Sequence, residues 1–198
     1  GHVEGVPDNQ HPAQVINLSL GGGGACTSGS AMALAIADAV GRGTTVVAAA
    51  GNSDSDVANF TPASCPGVIA VASNGATGQR ARYSSNYGQL IAVSAPGGGI
   101  YKGDAASGEI ADPDGFVWSA VNAGTTVPED PGYGGAAGTS QAAPHVSGTI
   151  ALILGAAKDA GLDAPTPDTV RQILVQSARP FPVAVDRPIG AGIVDANA

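Results

Sequence analysis

With 198 residues the chain is long enough to bury one sizeable hydrophobic core. Its net charge of −8 argues against nucleic acid or an anionic membrane surface as partner and toward a soluble acidic surface that suits cationic ligands or calcium. Only 12% of the residues are charged and 30 are glycine, a composition suited to tightly approaching α/β elements, and no apolar run approaches the ~20 residues of a membrane span.

In chain order, the stretch Pro7-Asp8-Asn9-Gln10-His11-Pro12 is polar and proline-bearing and reads as a surface loop, so neither His2 nor His11 is placed as a general base. Val15 to Leu20 reads as a buried strand running into a glycine-rich exit, Gly21 to Gly24, where missing side chains permit close approach by another backbone. A phosphate cradle is a poor account of these glycines, because no Gly-Lys-Ser/Thr follows and the Gly-x-Gly-x-x-Gly spacing is not kept. Ser30 to Val40 carries apolar residues at helical spacing. Thr44 to Ala50 is a β-branched, apolar run that predicts a strand buried on both faces, delivering Gly51-Asn52 at its carboxyl end, where open α/β sheets place their sites.

Gly67 to Ala72 and Leu90 to Gly97 predict two more core strands, with Arg80-Ala81-Arg82-Tyr83-Ser84-Ser85 between them. Residues 97–135, which include Gly97-Gly98-Gly99 and the single tryptophan, Trp118, read as a surface insertion carrying a β-hairpin. Within it Asp112-Pro113-Asp114-Gly115 hints at calcium, but an EF-hand loop needs glycine where Val117 stands and glutamate where Ala123 stands, so turn chemistry is the better account. Gly148 to Ala157 and Asp168 to Ser177 have helical spacing, Pro165 and Pro167 bracket a turn, and Asp168 is the expected N-cap of the last helix. Strands alternating with helices predict an α/β domain with a central, mostly parallel sheet.

The chemistry concentrates in Gly138-Thr139-Ser140-Gln141-Ala142-Ala143-Pro144-His145-Val146-Ser147-Gly148. A serine among small residues at a loop-to-helix junction is sterically open and sits where unpaired N–H groups favour a developing negative charge. The nucleophile elbow of α/β-hydrolases is excluded, because Ala142 stands where it needs glycine and no histidine follows His145. Five residues along a helix turn His145 about 140° away from Ser140, so it reads as a structural histidine rather than the base.

This string resembles the nucleophile segment of the subtilisin-like serine endopeptidases, the subtilases, in which Gly-Thr-Ser is followed by Met-Ala and Ala-Pro-His-Val-Ala-Gly or a close variant. The resemblance extends from Val15 through Gly190-Ala191-Gly192-Ile193-Val194-Asp195-Ala196 and implies a three-layer subtilisin-like fold. It further implies that Ser140 is the acyl-accepting nucleophile and that Asn52 donates to the oxyanion together with the Ser140 N–H. Ser19, Leu20 and Gly21 would then form one wall of the primary specificity pocket, and Ala49, Ala50 and Gly51 the other. Secretion, as the family implies, makes Cys26 and Cys65, the two cysteines, an expected disulfide, whose loop of about forty residues would contribute roughly 4 kcal/mol in a chain-entropy picture.

Two departures matter. The family's Asp-Thr/Ser-Gly and His-Gly-Thr-His strings do not occur here, so the resemblance implies the carboxyl-terminal portion of a catalytic domain, inactive by itself, with the acid and base in an amino-terminal portion. The rival is an inactive peptide-binding or regulatory fragment. A calcium site that some relatives build near the segment matching Thr61-Pro62-Ala63-Ser64 uses an aspartate where this chain has Ala92, which leaves structural calcium to be sought at Asp8, Asp54 or Asp56. The chemistry itself requires no cofactor, and the expected partner is a protein or peptide substrate.

Overall fold

The computed structural model describes residues 3–81, 85–98 and 115–197; His2, Arg82-Tyr83-Ser84, Gly99 and Asp112-Pro113-Asp114 lie outside the described residues. The elements in chain order are β1 (Val15–Leu18), β2 (Gly22–Gly23), α1 (Ala31–Gly41), β3 (Thr45–Ala49), β4 (Phe60–Thr61), β5 (Val68–Asn74), β6 (Ile91–Pro96), β7 (Val117–Asn122), β8 (Pro131–Ala136), α2 (Thr139–Asp159) and α3 (Pro167–Ser177).

The central sheet has the order β1-β3-β5-β6 with every neighbouring pair parallel. Parallel strands bury both faces, and every residue of β3 is buried here. Side chains alternate across the sheet. Val47, Ala49, Ile69, Val71 and Val93 therefore face Ala142, Val146 and Ile150 of α2 and Val170 and Leu174 of α3. Val46, Ala48, Ala50, Val68 and Ala70 face Ile36 of α1, Val57 and Ile189. Helices on both faces of a parallel sheet give three layers, with each buried Val or Ile contributing about 1.5–3 kcal/mol.

Local chemistry sets the element ends. The Ser30 hydroxyl accepts the Ala33 N–H at 3.2 Å and caps α1. For α3 the cap is Thr166, not Asp168: its hydroxyl accepts the Thr169 N–H at 3.2 Å. The reason is Pro167, whose fixed φ and missing N–H suit the first helical position, which moves the cap two residues earlier. Asp168 falls in the first turn and accepts from the Gln172 side chain at 2.8 Å. Helix α2 begins at Thr139, which puts Ser140 at the expected loop-to-helix junction, and runs through Pro144 and the apolar stretch Gly148 to Ala157.

Cys26 and Cys65 are bonded as a disulfide, joining the loops that follow β2 and β4. The two short strands pair antiparallel, Gly22 with Thr61 and Gly23 with Phe60, which turns the glycine-rich exit of β1 toward the end of β3. Strands β7 and β8 form an antiparallel hairpin from Val117↔Ala136 to Asn122↔Pro131, with Trp118 and Tyr133 exposed.

Candidate active site

The site assembles where the carboxyl end of β3 meets the amino terminus of α2. Gly138 has φ +148°, a conformation that favours glycine, and a Cβ there would sit 3.0 Å from Asn52 Nδ2. This lets Asn52 lie against the helix start. Its Oδ1 accepts the Thr139 N–H at 2.8 Å and the Thr139 hydroxyl at 2.9 Å, while Thr139 Oγ1 also accepts the Gly51 N–H at 3.0 Å. With both acceptor positions of Oδ1 filled, the Asn52 amide flips only at the cost of two hydrogen bonds, so its NH2 points away from Thr139. The Ser140 N–H, second in the helix and without an intrahelical partner by geometry, has no hydrogen-bond partner among the described residues.

Ser140 itself is held by β1. Proline has no N–H, so Pro144 removes the helical hydrogen bond that the Ser140 carbonyl would otherwise accept. Ser19 replaces it, its hydroxyl donating to the Ser140 carbonyl at 2.7 Å. In return Ser140 Oγ donates to the Ser19 carbonyl at 3.1 Å. Asn17 Nδ2 donates to Ser19 Oγ at 2.9 Å and Asn17 Oδ1 accepts from Ser147 at 3.0 Å, which ties β1 to the same face of α2.

A cavity of about 360 Å3 opens beside Ser140, lined by Leu20, Gly21, Ala49, Gly51, Asn52 and Phe60 among others. The two expected walls, from the exits of β1 and β3, therefore face each other across one space. Two residues of those walls are placed differently. Ala50 does not line the cavity: alternation puts Ala49 on the α2 side of the sheet and Ala50, fully buried, on the opposite side against the α1 layer. Ser19 also lies outside the lining and contacts Ser140 directly. Phe60, brought in by the β2–β4 pairing, was not foreseen; its partner lies in a two-residue strand without a periodic signal.

Among the described residues no imidazole or carboxylate hydrogen-bonds to Ser140 Oγ. His145 is exposed and its Nδ1 lies 2.8 Å from the Gln141 carbonyl, and His11 is exposed in the amino-terminal loop. No group of three His, Cys, Asp or Glu that could hold a metal ion occurs among the described residues. Asp54 is engaged by Arg80 at 2.7 Å, and Asp56 caps a short turn by accepting the Ala58 N–H at 2.9 Å.

Arg80 was also unforeseen. Its side chain is 2% exposed, bidentate to Asp186 at 2.9 and 2.7 Å, bonded to Asp54 and to the Ser85 carbonyl, and packed against the Tyr87 ring. Burial pulls its pKa down, but the bonds from Asp186 and Asp54 outweigh it and raise the pKa above the ordinary guanidinium value. A buried arginine needs such partners, and Asp186 is 106 positions away in the chain, out of reach of any local pattern.

A family profile described as the subtilase family matches residues 2–192. The chain belongs to the subtilase family. An extracellular protease of Xanthomonas campestris is 45% identical over the 198 residues, and an extracellular basic protease of Dichelobacter nodosus is 41% identical over the same length. This subtilase chain spans 30% and 29% of those relatives. Among solved structures, a protease from Pseudoalteromonas arctica superposes with a TM-score of 0.84 at 45% identity, covering 99% of this chain and 53% of that one. The subtilase fold seen here is thus a partial domain with the mostly parallel sheet of its structural neighbours. No helix among the described residues is long and apolar enough to cross a membrane.

Proposed function

We propose that the intact protein is a secreted serine endopeptidase that hydrolyses extended polypeptides through an acyl-enzyme on Ser140, and that this chain is the carboxyl-terminal portion of its catalytic domain. The observation that carries the reading is the double anchoring of Asn52 Oδ1 on Thr139, which leaves the Asn52 NH2 and the Ser140 N–H as unspent donors beside the nucleophile. In the proposed reaction Ser140 Oγ attacks the scissile carbonyl carbon and its proton passes to a base outside this chain. The two N–H groups receive the charge on the carbonyl oxygen. The base then returns the proton to the departing amine, and water releases the acyl group by the same steps.

Donors fixed before the reaction lower the barrier because they need not reorganise; one such donor is worth about 2.7–4 kcal/mol, a magnitude measured in a member of this family. The Ser140–Ser19 carbonyl bond is a resting contact that a base must displace, because a carbonyl oxygen cannot carry the proton forward. The cavity bounded by Leu20 and Ala49 would receive the substrate side chain on the acyl side. Export is supported by relatives named as extracellular proteases and by the disulfide, and those names disfavour a purely regulatory fragment. We also read residues 97–135 as a surface insertion on this domain.

The test uses the full-length protein and a serine-directed phosphonylating probe. Mass analysis is expected to find the adduct on Ser140, and Ser140→Ala to abolish both labelling and peptide hydrolysis. An active preparation labelled on a different serine would overturn the assignment.

A further inference from the structure

The segment that carries Asn52 has no regular structure between β3 and Val57, and Asp54 within it holds a left-handed φ of +46°. Such a segment keeps its shape only if its backbone polar groups find fixed partners. One side chain supplies three of them. Asn86 is fully buried; its Nδ2 donates to the Ala50 carbonyl at 2.8 Å, and its Oδ1 accepts the Ser53 N–H at 3.0 Å and the Ser55 N–H at 3.1 Å. Its backbone N–H donates to the Gly51 carbonyl at 2.8 Å. A Cβ on Gly51 would collide with Asn86 Nδ2, and Gly51 has φ +102°, so the approach depends on glycine there.

These bonds reach residues 50, 51, 53 and 55, on both sides of Asn52, the residue aimed at the cavity. Behind Asn86, Arg80 holds the Ser85 carbonyl at 2.7 Å and the Asp54 carboxylate at 2.7 Å, so the clamp and the loop share a buried charged anchor. We propose that Asn86, backed by Arg80, is a positioning residue for the Asn52 donor: it fixes the backbone on both sides of Asn52 and so sets where the amide meets the developing oxyanion. This rests on the oxyanion role proposed above for Asn52. Asn86 touches no substrate and acts only through geometry. Misplacement of a catalytic group by about 1 Å costs about 100-fold, so the effect of the clamp is bounded above by the ~10²–10³-fold cost of losing the donor itself.

The test is a double-mutant cycle in the full-length enzyme, with kcat and KM measured on a chromogenic peptide amide well below the unfolding temperature. Asn86→Asp keeps the size and the acceptor for Ser53 and Ser55 but loses the donor to Ala50. It is expected to lower kcat about 10–100-fold with KM little changed, and to lower kcat by no more than about 2-fold when Asn52 is already alanine. If Asn86→Asp does not fold, Asp54→Asn at a half-exposed position cuts the charged tie from Arg80 and decides the matter, with about a 3-fold fall in kcat expected only when Asn52 is present. Equal losses in both backgrounds, or an unchanged kcat, would show a merely structural role and overturn the proposal. Ordinary turnover in Asn52→Ala alone would overturn it from the other side, by removing the donor role on which it depends.

Discussion

Thr139→Val isolates the hydroxyl that holds Asn52 while changing the side-chain shape little. Thr139 is fully buried and its Oγ1 serves two partners, the Gly51 N–H at 3.0 Å and Asn52 Oδ1 at 2.9 Å. Valine strands the Gly51 amide, at about 1–3 kcal/mol, and removes the bond to Asn52, at about 0.5–1.5 kcal/mol. Asn52 Oδ1 keeps the Thr139 backbone N–H at 2.8 Å, so the amide is loosened and not lost. The catalytic cost should therefore fall well below that of deleting the donor. A tenfold drop in kcat, about 1.4 kcal/mol of transition-state stabilisation, is expected with KM nearly unchanged. Initial rates of the full-length enzyme on a chromogenic peptide amide give the first number, and urea unfolding gives the second. A variant that loses stability but turns over within twofold of the parent would refute the view that Thr139 aims Asn52. A raised KM at constant kcat would place the hydroxyl in ground-state substrate binding instead.

Other expectations are as direct. Deleting the donor with Asn52→Ala should lower kcat about 10²–10³-fold and leave KM nearly unchanged, whereas a raised KM at full turnover would move Asn52 into ground-state binding. Gln141 stands beside Ser140, the proposed nucleophile, where many subtilases have methionine, so mild peroxide should oxidise Met32, which is 40% exposed on α1, without inactivating the full-length protein; rapid inactivation would locate a vulnerable group elsewhere. Residues 1–198 expressed alone should aggregate and lack peptidase activity, because among the described residues β1 pairs with β3 on one edge only and the adjoining surface exposes Leu162. A monomeric, cooperatively unfolding and active product of that expression would require a base within this chain.

The strands were legible because each is a continuous apolar run: Thr44 to Ala50 and Gly67 to Ala72 coincide with β3 and β5 to within two residues at each end. The positions of Ser140 and Asn52 were legible for a related reason, since a helix start among small residues and an amide just past a strand end each follow from a short local string. Local strings misled where two signals overlapped. Pro167 displaced the cap from Asp168 to Thr166, and strand alternation took Ala50 out of the cavity wall that its neighbours form. Nothing in the string around Ser19 announces that its hydroxyl replaces the hydrogen bond that Pro144 removes, because the two are joined only when β1 and α2 pack. Asn86 and Arg80 were invisible for the same reason, the loop groups that Asn86 bonds lying 31 to 36 positions away and the carboxylates that hold Arg80 26 and 106 positions away. By itself the sequence determined which residues are chemically suited to the site, since backbone propensity, hydrophobic runs and side-chain chemistry act over a few residues. Only the tertiary structure decided which of them meet, because the bonds that aim Asn52 and seat Ser140 join segments that become neighbours only once the sheet and its helices have closed around the core.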